Sequence, residues 1–264
     1  ALGGCYTGTA QTLFNKIFQA DTMSMLSMAI EPASDSGYIV VGSYNGISGN
    51  SNIYARKVDK YGNTIAFYNL ATAAYTSLIW GKSLKKISDG SYTLIGTVGQ
   101  TDLTRNSTLM NFNEDGQINW QQTYQMPDTL TGNMQLILTP DNGYLLVGFA
   151  TAHNIVTDEW GYAKFYAVKT DSIGNKQWTR TYTYTGQPID VCYAHDGGYI
   201  LSGGSRIAGG NYDMTIIKID SIGGVVWQKT FGTDNKDDGG CKIVPLAKKK
   251  YLLMGSIADT EQGN

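Results

Sequence analysis

Asp196-Gly197-Gly198-Tyr199-Ile200-Leu201-Ser202-Gly203 ends in a Tyr-x-x-x-Gly block that returns as Tyr38 with Gly42, Tyr92 with Gly96, Tyr144 with Gly148 and Tyr251 with Gly255. The intervals are 54, 52, 55 and 52 residues. That is the length of one four-stranded propeller blade with its loops, not of a helical-pair or leucine-rich repeat. An acid-led turn precedes the block in four copies, beginning at Asp35, Asp89, Asp141 and Asp196, whereas the fifth copy carries Lys248-Lys249-Lys250. Downstream, an Asx residue leads a turn with Gly in its fourth position: Asp59 with Gly62, Asn113 with Gly116, Asp171 with Gly174, Asp220 with Gly223. An Asx side chain that bonds backbone two residues on, next to a Gly free to take positive φ, joins two strands. An aromatic follows each turn at Phe67, Trp120, Trp178 and Trp227, and Phe14 fills that slot ahead of the first block.

One copy reads as strand 189–194, turn, strand 199–203, loop, strand 214–220, turn, strand 225–231. No segment keeps a helical period, so the chain is expected to be all-β. The prediction is one domain over residues 1–264, a β-propeller of five four-stranded blades. Residues 11–18 would complete the last blade as its rim strand, with residues 1–10 at the ring closure. Gly263-Asn264 resembles Gly210-Asn211 ahead of a third strand, so a natural chain continuing further would make a ring of six to eight blades. Turns after strands one and three are short and share one face. The loops after strands two and four are expected to be long and dissimilar on the other, which is therefore the expected working surface.

The copy Asp196-Gly-Gly-Tyr199-x-x-x-Gly203, Lys218-Ile-Asp220-x-x-Gly223, Trp227-x-x-Thr230-Phe231 resembles the secreted β-propeller repeats of large bacterial and some protist surface proteins. The resemblance runs over about residues 11–257. It implies an extracellular or cell-surface setting and a structural, adhesive or scaffold role, with no catalytic motif to carry over.

Composition excludes disorder, at 42% hydrophobic and 11% aromatic residues. A net charge of −2 without a basic stripe gives no footprint for nucleic acid. No apolar run is long enough for a spanning helix. Three cysteines, Cys5, Cys192 and Cys241, leave at least one unpaired. Leu2-Gly3-Gly4-Cys5 looks like a lipobox, but no basic and apolar leader stands ahead of it; the preferred reading pairs Cys5 with Cys241 near the closure.

Catalytic signatures are scarce. His153 and His195 read as a loop and a turn residue without a zinc pattern around them. The acidic run 234–239 has Lys236 where a calcium loop needs an Asx side chain, so no metal and no cofactor are expected. Asp21, Glu31 and Asp190 fall on or beside axial strands in different blades and make no evident acid pair. A glycan-active hydrolase is the alternative reading, and a surface lipoprotein of a glycan-import complex a third. Tyr44, Tyr75, Trp160, Tyr162, Tyr184 and Tyr212 fall in or beside the loops of the working face. Exposed Tyr and Trp suit contact with a protein partner, a further copy of the chain, or a sugar ring. Asn106-Ser107-Thr108 is an N-glycosylation sequon.

Overall fold

The computed structural model describes residues 25–45, 51–70, 76–78, 84–101, 104–126, 129–154, 159–206, 210–233, 236–247 and 249–258. They are all-β, in antiparallel meanders that follow the repeat. The first blade is β1 (Met25–Pro32), β2 (Tyr38–Asn45), β3 (Ser51–Val58) and β4 (Thr64–Asn69), paired in that order. The second opens with a divided strand, β5 (Thr76–Leu78) and β6 (Leu84–Lys86), followed by β7 (Tyr92–Thr101), β8 (Thr104–Phe112) and β9 (Ile118–Tyr124). The third has β10 (Thr129–Leu138), β11 (Tyr144–Asn154) with the short β12 (Glu159–Trp160) on its edge, β13 (Lys164–Thr170) and the first half of β14 (Lys176–Tyr193). The second half of β14 opens the fourth, with β15 (Tyr199–Arg206), β16 (Tyr212–Ile219) and β17 (Val225–Phe231). Of the fifth, β18 (Asp237–Leu246) and β19 (Lys250–Ala258) are among the described residues.

Successive sheets pack face to face, which makes the chain a β-propeller. Their middle strands are buried on both sides and so read as apolar runs. Tyr92 and Leu94 point back to Ile39 and Val41 of the first blade, while Ile95 points forward to Leu136 and Leu146 of the third. Leu145 and Val147 then meet Leu201 and Ile217 of the fourth, and Ile200 and Ile216 meet Ile243 of the fifth. This is the period-two alternation of a strand used on both faces.

The repeated glycine has a specific cause. Register slips by a bulge between Ser27 and Ala29 beside Gly42, between Asn133 and Gln135 beside Gly148, and between Pro188 and Asp190 beside Gly203. In the second blade Gly96 stands opposite the break between β5 and β6. The extra residue presses a carbonyl toward the facing strand: a Cβ on Gly42 would lie 1.9 Å from the Leu26 oxygen. The repeated tyrosine pins one blade to the one before. Tyr92 Oη donates to the Pro32 carbonyl at 2.9 Å, Tyr144 Oη bonds Thr93 Oγ1 at 3.0 Å, and Tyr251 Oη accepts from the His195 amide at 2.9 Å.

The Asx turns form as read: Asp59, Asn113, Asp171 and Asp220 each accept two backbone N–H bonds, and each turn glycine has positive φ. Two details differ from the sequence reading. Ala66, not Phe67, holds the tryptophan register, since Lys57 pairs with Ala66 as Lys169 pairs with Trp178. Phe67 turns to the other face and stacks on Tyr54 at 5.2 Å, and Tyr68 covers the next blade's turn at Gly116 instead. The connections after strand four are also short or missing. β9 reaches β10 within a few residues, and β14 runs on from the third blade into the fourth without a break.

Candidate functional site

β14 changes partners at Thr185, which pairs with Lys164 of β13 on one flank and with Arg206 of β15 on the other. Beyond that point β13 and β15 belong to different blades and diverge. The crossing is held by the Gly186 amide, which donates to the Ala163 carbonyl at 2.6 Å, and by the Thr185 hydroxyl, which donates to the Arg206 carbonyl. Gly186 is required by close approach, because its Cβ would lie 2.0 Å from the Gly204 oxygen. The gap left by the divergence is a cleft of about 450 Å³ beside the end of β15 and the start of β16.

Tyr162, in the link between β12 and β13, stands at one wall and is 76% exposed. Tyr212, at the start of β16, stands at the other and is 43% exposed. The Arg206 guanidinium lies over the Tyr212 ring, 5.1 Å from its centre. The Tyr212 amide donates to Asp237 Oδ1 at 2.9 Å, which ties that wall to the fifth blade. Gln187, Ile189 and the backbone of Gly239 and Gly240 complete the lining.

Two of the six aromatics singled out in the sequence, Tyr162 and Tyr212, thus meet in one cleft. Trp160 lies in β12 opposite His153, and Tyr184 lies in β14 beside Thr185; their side chains are outside the described residues, as is all of Tyr75. Tyr44 is elsewhere, packed against Tyr54 and Phe67 within the first blade at ring distances of 6.3 and 6.0 Å. Arg206 and Gln187 escaped the sequence reading, which searched for aromatics. The available signal was an arginine just beyond a second-strand block.

The remaining candidates resolve as structure where they are described. Asp190 is buried, and its Oδ2 accepts from the Ile243 amide at 3.3 Å with Lys242 Nζ at 3.5 Å, so it ties the fourth blade to the fifth. Glu31 lies in β1, and Asp21 is outside the described residues. Exposed His195 packs its ring 5.1 Å from that of Tyr251. Burial, then the charge of Asp190, pushes the Cys192 thiol up to about 11, far from a reactive thiolate. Cys241 lies in β18 with its side chain undescribed, and Cys5 lies outside the described residues. Among the described residues no three His, Cys, Asp or Glu side chains gather to hold a metal, and no helix is long and apolar enough to cross a membrane. The sequon falls within β8, where Thr108 and Ser107 are buried and the Ser107 hydroxyl donates to Thr131 Oγ1 at 3.1 Å. Lys249 occupies a solvated turn at positive φ, as its sequence setting suggested.

No protein-family model matches the chain, and no curated protein matches it in sequence. Among solved structures it is similar to a protein of unknown function from Bacteroides caccae, with 11% identity over 84% of this chain and 68% of that one and a TM-score of 0.47. It is also similar to a levansucrase from B. megaterium, at 10% identity over 89% and 78% of the chains and a TM-score of 0.46. A Synechocystis apocarotenoid oxygenase is similar at 12% identity over 88% and 60%, with a TM-score of 0.47. The propeller assignment rests on strand order and packing, independently of these likenesses.

Proposed function

We propose that the protein is a non-enzymatic binding module of an extracellular or cell-surface structure, in which the blades are scaffold and the Thr185 cleft receives the partner. The partner is a surface glycan or a glycan-bearing protein, including one in an assembly of further copies. The observation that carries this reading is the pair of exposed tyrosines, Tyr162 and Tyr212, flanking an open cleft on the face where the second-strand loops vary. Large rigid aromatics left partly wet at a concave site are the anchors that recognition uses at small entropic cost. Asp190 is in keeping with it too, being committed to backbone and a neighbouring lysine.

The test is binding of the purified protein to a panel of neutral and acidic glycans and to itself. The double variant Tyr162→Ala, Tyr212→Ala is expected to bind roughly tenfold more weakly or worse, about the loss of two aromatic contacts. Unchanged binding by that variant would remove the cleft from the function. New reducing ends released from a bound glycan would overturn the non-enzymatic assignment.

A further inference from the structure

We infer that the cleft takes a saccharide bearing a carboxylate, a uronic or sialic-type acid unit, with its ring against tyrosine and its charge on Arg206; this rests on the binding-module reading above. Among the described residues Arg206 is the one charged side chain lining the cleft, and it forms no ion pair with any of them. The lysines on third strands behave differently: Lys57, Lys169 and Lys218 are each spent on an aspartate of their own blade. A guanidinium over a ring keeps its in-plane N–H donors available at its edge, and their fork matches a carboxylate. Tyr212, the ring beneath it, fixes that fork at the wall, and the partial exposure of Tyr212 together with the exposure of Tyr162 opposite leaves aromatic surface for the C–H side of a pyranose.

The rest of the lining suits hydroxyl groups. Thr185 and Gln187 offer neutral polar side chains, and Gly186, Gly204, Gly239 and Gly240 add no side-chain bulk to the lining. Asp237, an acid near the cleft, has Oδ1 occupied by the Tyr212 amide. Nucleic acid is the wrong ligand for one cation, since its affinity comes from many phosphate contacts. An entirely apolar ligand would leave Arg206 desolvated without a partner, which is costly.

The experiment measures affinity for glucuronate, galacturonate and sialic-acid oligosaccharides, each beside its carboxyl-reduced counterpart, using wild type, Arg206→Gln and Tyr162→Ala. Arg206 and Tyr162 are exposed, and an unchanged melting temperature checks that each variant folds. Wild type is expected to prefer at least one acid form over its reduced form by roughly tenfold or more, with the preference shrinking as salt rises. Arg206→Gln is expected to erase the preference while keeping the weaker binding of the reduced form, and Tyr162→Ala to weaken both forms. Equal binding of acid and reduced forms by wild type, no binding of any acid form, or a preference that survives Arg206→Gln would overturn the inference. In those cases the double tyrosine variant still reports separately on whether the cleft binds anything.

Discussion

At Gly203 a single methyl group would place Cβ 2.2 Å from the Gln187 oxygen, whereas at the adjacent Gly204 its nearest neighbour would be Tyr212 Cδ1 at 3.9 Å. Gly203→Ala must push two strands apart at the bulge and is expected to cost about 1–3 kcal/mol, as other overpacked sites do. Gly204→Ala should stay within about 0.5 kcal/mol of wild type. Urea denaturation of the two variants measures the difference, and equal stabilities would refute the steric account of the repeat. The sequence announced this glycine five times without disclosing why. A bulge is a property of a pairing, and the partner strand lies outside the motif. The tyrosine was equally visible, yet its acceptors at Pro32 and Thr93 stand one blade away, where no local pattern points.

Between elements, a charged latch joins the first two blades. Glu114, in the Asx turn after β8, accepts from the Ser34 amide and hydroxyl, from Lys57 at 2.9 Å and from the Tyr92 hydroxyl at 3.0 Å, and Lys57 also reaches Asp35 at 3.1 Å. Burial pushes the Glu114 carboxyl up, but the bonds from Lys57, Ser34 and Tyr92 outweigh it and hold the group at about 2 against an ordinary 4.5. The folded value lies below the unfolded one, so the stabilisation is complete above pH 4.5 and is withdrawn as pH falls from there toward about 2. Asp141 follows the same course from 3.8 to about 2: burial raises it, and Lys169 and Thr139 overcome the rise. Glu114→Gln is expected to cost about 1–3 kcal/mol at neutral pH, where the ionised acceptor is lost. It should also flatten, without abolishing, the fall of the unfolding midpoint in that acid window. An unchanged acid slope in the variant would dissolve the latch. These pairs were only half legible. The aspartates stood out as turn residues, but their lysines follow at intervals that stretch with the second-strand loop: Lys57 after Asp35, Lys169 after Asp141. In the second blade Asn111 takes that place and donates to Ser91 and Thr93, each at 2.9 Å.

At the level of the whole ring, each rim strand shields the next blade's turn. Tyr68 sits over Gly116, Trp120 over Gly174 and Trp178 over Gly223, while the Tyr124 and Tyr182 hydroxyls donate to the Gly174 and Gly223 carbonyls at 2.8 and 3.2 Å. By that rule Trp227 and Phe231 await the outer turn of the fifth blade. Among the described residues they are 37% and 42% exposed. If residues 11–18 form the closing rim strand, as the sequence leads one to expect, the turn before it falls over Trp227. Removing residues 1–18, or the milder Phe14→Ser with Phe18→Ser, is then expected to red-shift the Trp227 contribution and open it to iodide. That contribution is the difference between wild-type and Trp227→Phe emission spectra. A Trp227 signal indifferent to both changes would send the closure elsewhere. Blade content was readable because every scaffold device recurs with the repeat. The cleft was readable only in its tyrosines, since it arises where β14 exchanges neighbours, an event without a sequence signature.

That exchange has a mechanical outcome. Along Lys176–Tyr193 one backbone is laced into two sheets with no slack between them, so tension applied to either is met in shear by both. The third and fourth wedges are therefore expected to yield together, as a doubled plate rather than as hinged leaves, and whatever grips the Thr185 crossing pulls on both.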